Sequence, residues 1–451
     1  SSYIMNTYIK LVENFMTPLE PTIDVEKEFT NLKGQFKLPI EYNTSKKKLE
    51  PHVIDSIELK KQNEILYGKT ANHSHEQALC QLYTTDIDFL KHNQVFIREL
   101  KDKCIVKKIG SVSDSDTGTD TGKDIRTNDK SEAFFKKWKT QMMNNNIRET
   151  YYYMDWEHLD FLNYNSSFML FLSLYNLSSP VTTIITPIII FLIPFIVLKC
   201  FTSIPINRET YMDILYRYGG RNPLAKCISL LTGKGDINDK VSGLSMLFIF
   251  FTSVYQSILM CYQFYKNMYK LKSYIQETRD LFESSIEYIE FMEKVICTHS
   301  MENGFDSFLV DIREKRKRMK RVVDEMNQIN DEIFSIRNIF QIGKYMSTFY
   351  AFRQKESYQK LFRYAFELQE FIFHYQHLFS HIQNNTIQTC QFGNRTNFVQ
   401  SFHPSLIHGN KDIIKNDVSM EKNLIITGPN ASGKTTLIKN ALLNSIYSQQ
   451  I

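Results

Sequence analysis

The sequence predicts a mainly α protein: long lever-like helices, a candidate membrane hairpin, and one strand–loop–helix unit of α/β type near the carboxy-terminal end. Three observations carry this. Glycine and proline are scarce, at 16 and 11 in 451 residues, while Phe and Tyr reach 33 and 25, a balance that favours long helices over turn-rich sheets. Two stretches, 161–198 and 241–265, contain no charged residue and are long enough to cross a hydrocarbon layer. A short apolar run, Asn423–Thr427, leads into a glycine-framed loop and then a helix-forming segment.

The length exceeds one ordinary domain, and 43% hydrophobic residues supply core for two or three units and exclude a wholly disordered chain. The seven cysteines are far apart, odd in number and without a CxxC pair. Neither a zinc site nor a disulfide framework is indicated, and a reducing compartment is expected for the soluble parts. A net charge of +5 is too mild to mark the whole chain as a polyanion binder. The opening SSYIMNTYIKLVENFM lacks the basic start and sustained apolar core of a secretory signal. It also lacks a start methionine, and the chain stops soon after the loop helix, so a piece of a longer protein is expected.

Residues 1–110 read as a helical soluble region, with apolar spacing at Leu79, Leu82, Phe89 and Phe96. Residues 111–131, rich in Ser, Thr, Asp and Gly, read as a disordered acidic linker. Region 132–265 is helical and holds the two candidate spans, about 179–200 and 241–263. The competing reading makes both of them core helices of a soluble bundle, and Pro187 and Pro194 are compatible with either. If both cross, the two ends of the chain share one side and residues 202–240 lie opposite. Lys and Arg flank the spans on both sides, so charge does not decide orientation, and a re-entrant or peripheral hairpin stays open. From 266 to 390, segments 267–298, 308–340 and 345–382 run nearly free of Gly and Pro and read as long antiparallel levers.

Residues 391–451 carry the chemistry. Gly428-Pro429-Asn430-Ala431-Ser432-Gly433-Lys434-Thr435-Thr436 fits the phosphate-binding loop, between strand and helix as that loop requires. Gly428 and Gly433 let the backbone curl so that successive N–H groups face phosphate oxygens, and the helix N-terminus adds its dipole. Lys434 is placed to reach the β- and γ-phosphates, and the Thr435 hydroxyl to coordinate Mg²⁺. The cofactors expected are therefore ATP and Mg²⁺, and the unit is the start of a truncated α/β P-loop ATPase domain. No acidic residue after an apolar strand follows Thr435. The acid that orders Mg²⁺ is expected beyond Ile451, and the given chain is expected to hydrolyse little or no ATP by itself.

The segment from Phe402 to Ile451 resembles the start of the ATPase domain of the MutS family of DNA mismatch-repair proteins. The resemblance rests on His403-Pro404, Asn416-Asp417, the Ile425-Ile426-Thr427 entry, Gly428-Pro429-Asn430 and Ser448-Gln449-Gln450. Ala431-Ser432 departs from a bulkier residue and Gly, and Ile413 stands where an aromatic often stacks on adenine. The layout of 267–390 is similar to that family's core and lever helices, which carry a DNA clamp. Phe291-Met292-Glu293 has the letters of the family's mismatch wedge but sits inside a long helix, so mismatch reading is not assigned. With membrane spans, the chain most resembles a divergent MutS-like branch found in large DNA viruses and some bacteria.

Two weaker constellations remain. Arg313, Arg316, Lys317, Lys320 and Arg321 concentrate charge on one predicted helix. They read as DNA contacts, as a solvated helix face, or as an attraction to anionic lipid. His374, His377 and His381 fall at i, i+3 and i+7, with Glu370 one turn earlier. The spacing permits a metal, and ordinary packing competes with it.

Together these features imply an ATP-dependent, DNA-binding ATPase of mismatch- or structure-sensing type in the full-length protein. Its partners would be duplex DNA, a membrane, and a second ATPase domain in a homodimer or heterodimer. It would be membrane-associated, with the ATPase on the cytoplasmic or viral-factory side. The alternatives are a soluble cytoplasmic or nuclear protein, and a membrane-anchored mechanical ATPase that acts on protein or lipid with no DNA role.

Overall fold

The computed structural model describes residues 34–70, 73–104, 125–144, 146–201, 211, 237–329, 338–407 and 413–450. The chain divides into two compact units, one of residues 1–144, 277–326 and 353–451, the other of residues 145–276 and 327–352. Most described residues are helical, and the sheet content is two small antiparallel pairs.

In chain order, the amino-terminal elements are β1 (Lys46–Lys48), α1 (Pro51–Ser56), α2 (Leu59–Tyr67), α3 (Glu76–Gln81), β2 (Leu82–Thr84), α4 (Ile87–Cys104) and α5 (Ile125–Met143). Next come α6 (Ser166–Leu177), α7 (Ser179–Phe201), the long α8 (Ile237–Thr298), α9 (Glu302–Asn327), α10 (Ile342–Gln354) and α11 (Glu356–Gln383). The carboxy-terminal part holds β3 (Asn397–Ser401), β4 (Asn416–Ser419) and α12 (Lys434–Tyr447).

In the first unit α11 is the central element. Every residue from Leu361 to Leu368 is buried, as are Phe371 and Ile372, so this part of α11 is packed on all sides rather than along one stripe. Phe366 packs on Phe134, Phe135 and Trp138 of α5, and Phe371 packs on Phe96 of α4. Inside this apolar core sits an ion pair, Arg363 Nε to Glu367 Oε1 at 3.0 Å, with both side chains fully buried. Glu367 also accepts the backbone N–H groups of Gly34 (3.0 Å) and Phe36 (2.7 Å). The charge is therefore distributed over several donors, which is the condition under which a buried pair is tolerated. β1 and β2 pair Lys46 with Thr84 and Lys48 with Leu82. β3 and β4 pair Phe398 with Val418 and Ser401 with Asn416 across a register shift.

In the second unit, α6 begins at Asn165, whose side chain accepts the N–H groups of Ser167 and Phe168, as a helix N-cap does. Gly343 of α10 lies against α6; a Cβ there would come within 2.0 Å of the Ser166 carbonyl. α7 leaves α6 at a 61° bend and meets α8 through Thr183 and Ser257, whose hydroxyls are 3.1 Å apart.

Several expectations change. The helix expected over 308–340 ends at Asn327. Residues 125–131 belong to α5, not to the linker expected over 111–131; the rest of that segment lies outside the described residues, as do most of 202–240. The apolar run Asn423–Thr427, expected as a strand, has no regular secondary structure and joins no ladder, since no described strand lies beside it to share hydrogen bonds. As for the candidate spans, Lys240–Thr298 of α8 is long and apolar enough to cross a membrane, and the bent pair of α6 and the first part of α7 passes the same test together. Their apolar side chains, among them Ile188, Ile193, Leu244 and Phe248, face outwards, which is the opposite of a soluble bundle's core.

Candidate nucleotide-binding site

The loop is built where β4 has ended and the chain passes through Asn423–Pro429 without regular secondary structure before turning into α12. Two backbone positions make the turn. Ala431 and Gly433 have φ of 64° and 86°, so the chain enters the helix through left-handed conformations, and at Gly433 a side chain would be strained. A Cβ on Gly428 would stand 2.9 Å from Ser432 Oγ, so the loop is folded closely on itself. Gly433 is the N-cap of α12 and brings no side-chain acceptor. The first-turn N–H groups, which lack intrahelical partners in any helix, therefore point at the loop. Lys434 folds back across the concavity, its Nζ donating to the carbonyls of Gly428 and Pro429, the latter at 2.8 Å. Residues 428–433, Thr435 and Thr436 are exposed. The structure thus brings Gly428 to Thr436 into one open, curled loop at a helix N-terminus. Such a loop can receive an anion on backbone N–H groups and one ammonium.

The helix behind the loop is anchored to the amino-terminal elements. Leu443 and Ile446 of α12 are buried with Ile54, Ile57, Leu59 and Cys80, and Tyr447 packs beside them. Tyr447 donates to Asn63 at 3.0 Å, Lys439 pairs with Glu58 at 3.2 Å, and the Gln450 amide donates to the carbonyls of Leu79 and Leu82. Burial pushes the Cys80 thiol up to about 11, so it is inert as a nucleophile near neutral pH. On another side, Asn440 donates to Ser401 of β3 at 2.9 Å. His403 caps the turn at Pro404–Leu406, and burial, with Lys439 nearby, lowers its pKa. The contacts of Leu443, Ile446, Tyr447, Lys439 and Gln450 with residues 54–82 escaped sequence reasoning because their partners lie near opposite ends of the chain.

Neither a protein-family model, nor a curated protein, nor a solved structure matches this chain.

The other sequence candidates are placed as follows. Arg313 and Arg316 of α9 both bind the Glu293 carboxylate of α8, Arg313 Nε at 2.6 Å, while Lys317, Lys320 and Arg321 are exposed. The predicted basic face thus splits into a pair committed to α8 and a trio facing solvent. The three histidines have a different use from metal binding. His381 Nε2 lies 3.1 Å from the Ile65 carbonyl, His377 Nδ1 3.0 Å from that of Leu66, and His374 Nδ1 2.8 Å from that of Tyr67. They serve the last-turn carbonyls of α2, which have no partners within their own helix. Among the described residues no group of His, Cys, Asp or Glu has the geometry to hold a metal ion.

Proposed function

We propose that this chain binds ATP with Mg²⁺ through Gly428–Thr436, and that it belongs to a MutS-like, membrane-associated ATPase. The observation that carries the reading is the loop: a positive-φ turn at Gly433 that opens α12, with Lys434 curled over it. Lys434 would exchange its carbonyl partners for phosphate oxygens, and the Thr435 hydroxyl would take Mg²⁺, which offsets phosphate charge during phosphoryl transfer. The exposure of the loop supports access by nucleotide. The outward apolar faces of α7 and α8 support a membrane anchor. The exposed trio Lys317, Lys320 and Arg321 supports contact with duplex DNA.

A second reading is favoured by the same apolar faces: a membrane-anchored mechanical ATPase that acts on protein or lipid. ATPase rate in the full-length protein separates the two, measured with and without duplex and branched DNA at low and moderate salt. Stimulation that fades as salt rises marks a DNA clamp. Hydrolysis indifferent to every DNA marks the mechanical ATPase. Absence of nucleotide binding overturns both.

A further inference from the structure

We infer that α6 and the helical turn before it lie in the headgroup layer of a lipid bilayer, with Trp156, Phe161, Phe171 and Tyr175 as the face that enters it. This rests on the membrane-anchor reading and adds a depth and an orientation to it.

Four large aromatic side chains are 64% to 71% exposed within this short stretch: Trp156, Phe161, Phe171 and Tyr175. On α6 the outward residues Phe171 and Tyr175 are one turn apart, and Met169 and Ser173, also one turn apart, are buried. The helix therefore has an inner edge packed on protein and an outer aromatic edge. The 23 residues of α7 cover about 35 Å at ~1.5 Å per residue, enough to cross a hydrocarbon core of about 30 Å unaided. α6 is thus not needed to complete a span. Its 61° angle to α7 turns it away from the bilayer normal if α7 crosses with an ordinary tilt of about 20°.

The level of α6 agrees with that placement. Its carboxy-terminal carbonyls, Asn176 and Leu177, contact Cys261 Sγ of α8. At that height the apolar run of α8 gives way to Tyr262, Tyr265 and Tyr269, all exposed, interleaved with exposed Lys266 and Lys270. Aromatic rings followed by cations mark a membrane–water boundary, because each ring has an apolar body for the acyl edge and a polar edge or tip for water. Of the nearby carboxylates, Asp155 and Asp160 are bound by Arg148, while Glu157, next to Trp156, is exposed, a position compatible with the hydrated headgroup layer but not with the hydrocarbon core. Four outward aromatics beside α8, which is long and apolar enough to cross a membrane, and the apolar α7 fit a bilayer surface as occupant.

Only two tryptophans occur in the chain, and Trp138 is fully buried. Trp138→Phe therefore makes Trp156 the single reporter of the full chain reconstituted in phosphatidylcholine vesicles carrying nitroxides at headgroup, mid-chain or bilayer centre. The expected result is quenching strongest from the headgroup label and weakest from the centre, with emission shifted to the blue. Strongest quenching from the centre would make α6 part of a broken span and overturn the proposal. So would vesicle-bound protein in which Trp156 ignores every nitroxide and stays open to aqueous iodide. Failure to float with vesicles at all would overturn the membrane reading beneath it. Should Trp138→Phe not fold, the wild-type signal minus that of Trp156→Phe gives the same measurement.

Discussion

Leu443→Ala tests whether the loop at Gly428–Thr436 is anchored by the amino-terminal helices. Leu443 is fully buried in α12 against Ile54, Ile57, Leu59 and Cys80, whereas its neighbour Leu442 is 46% exposed. Both substitutions remove the same atoms and gain the same helix propensity, so their difference isolates burial. Removing three buried carbons forfeits about 2.4 kcal/mol of transfer energy at ~0.8 kcal/mol each. The cavity left behind brings the usual range for such changes to about 2–5 kcal/mol. Leu442→Ala should stay within about 1 kcal/mol. Because the chain has two units, a single global unfolding energy is ill-defined, and amide hydrogen exchange of peptides covering 437–447 is the suitable assay. At about 1.4 kcal/mol per tenfold, Leu443→Ala should speed exchange there by at least about 30-fold, and Leu442→Ala by far less. Equal effects, or a larger one from Leu442→Ala, would refute the assignment of the packed face of α12.

Glu370 is buried, which alone would raise its carboxyl pKa. The hydrogen bond from His374, the nearby His75 and the Thr70 hydroxyl outweigh that and bring it down to about 2 from 4.5. A depressed folded value contributes stability above the unfolded pKa that is lost as pH falls from 4.5 towards 2. The gap corresponds to about 3 kcal/mol. Urea titrations of the first unit, read at Trp138 in a Trp156→Phe background, should show the chain with Glu370 losing about that much more than Glu370→Gln between pH 5 and 2, and parallel pH profiles would contradict it. Gly68, which ends α2, has φ 77° and ψ 164°, and a Cβ there would stand 2.8 Å from Phe373. Gly68→Ala should therefore cost at least about 1–3 kcal/mol in the same assay, and a neutral effect would mean that turn is not held as described. If duplex DNA is bound, replacing Lys317, Lys320 and Arg321 by Ala should flatten the salt dependence of log affinity by about 0.9 per lost phosphate contact. Arg313→Ala with Arg316→Ala should alter it less, since both side chains are held by Glu293. The reverse order would place the DNA on the other face of α9.

What the sequence made legible was local. The turn from Gly428 into α12 could be read because two glycines and a helix-forming run lie within a few neighbouring residues. The helical segments 267–298, 308–327, 345–354 and 356–382 could be read because they run without Gly or Pro. The histidines at 374, 377 and 381 kept the right spacing for a shared face, but their partners are carbonyls some 300 residues earlier, which no periodicity announces. The same holds for the Tyr447–Asn63 and Gln450–Leu82 contacts behind the loop. The run Asn423–Thr427 has strand composition, yet a strand is completed by its neighbours, and none is described beside it. The bend between α6 and α7 escaped notice because Ser178 sits in an unbroken uncharged stretch whose composition suits one continuous helix.

The most direct test of the account is equilibrium binding of a fluorescent ATP analogue to the chain, with and without Mg²⁺, in wild type and in Lys434→Ala. The account predicts saturable binding, strengthened by Mg²⁺, that falls at least about tenfold when the ammonium over the loop is removed, a loss of about 1.4 kcal/mol or more, as for a charge-assisted hydrogen bond. Affinity unchanged by Lys434→Ala, or no binding by a folded wild-type chain, would contradict it.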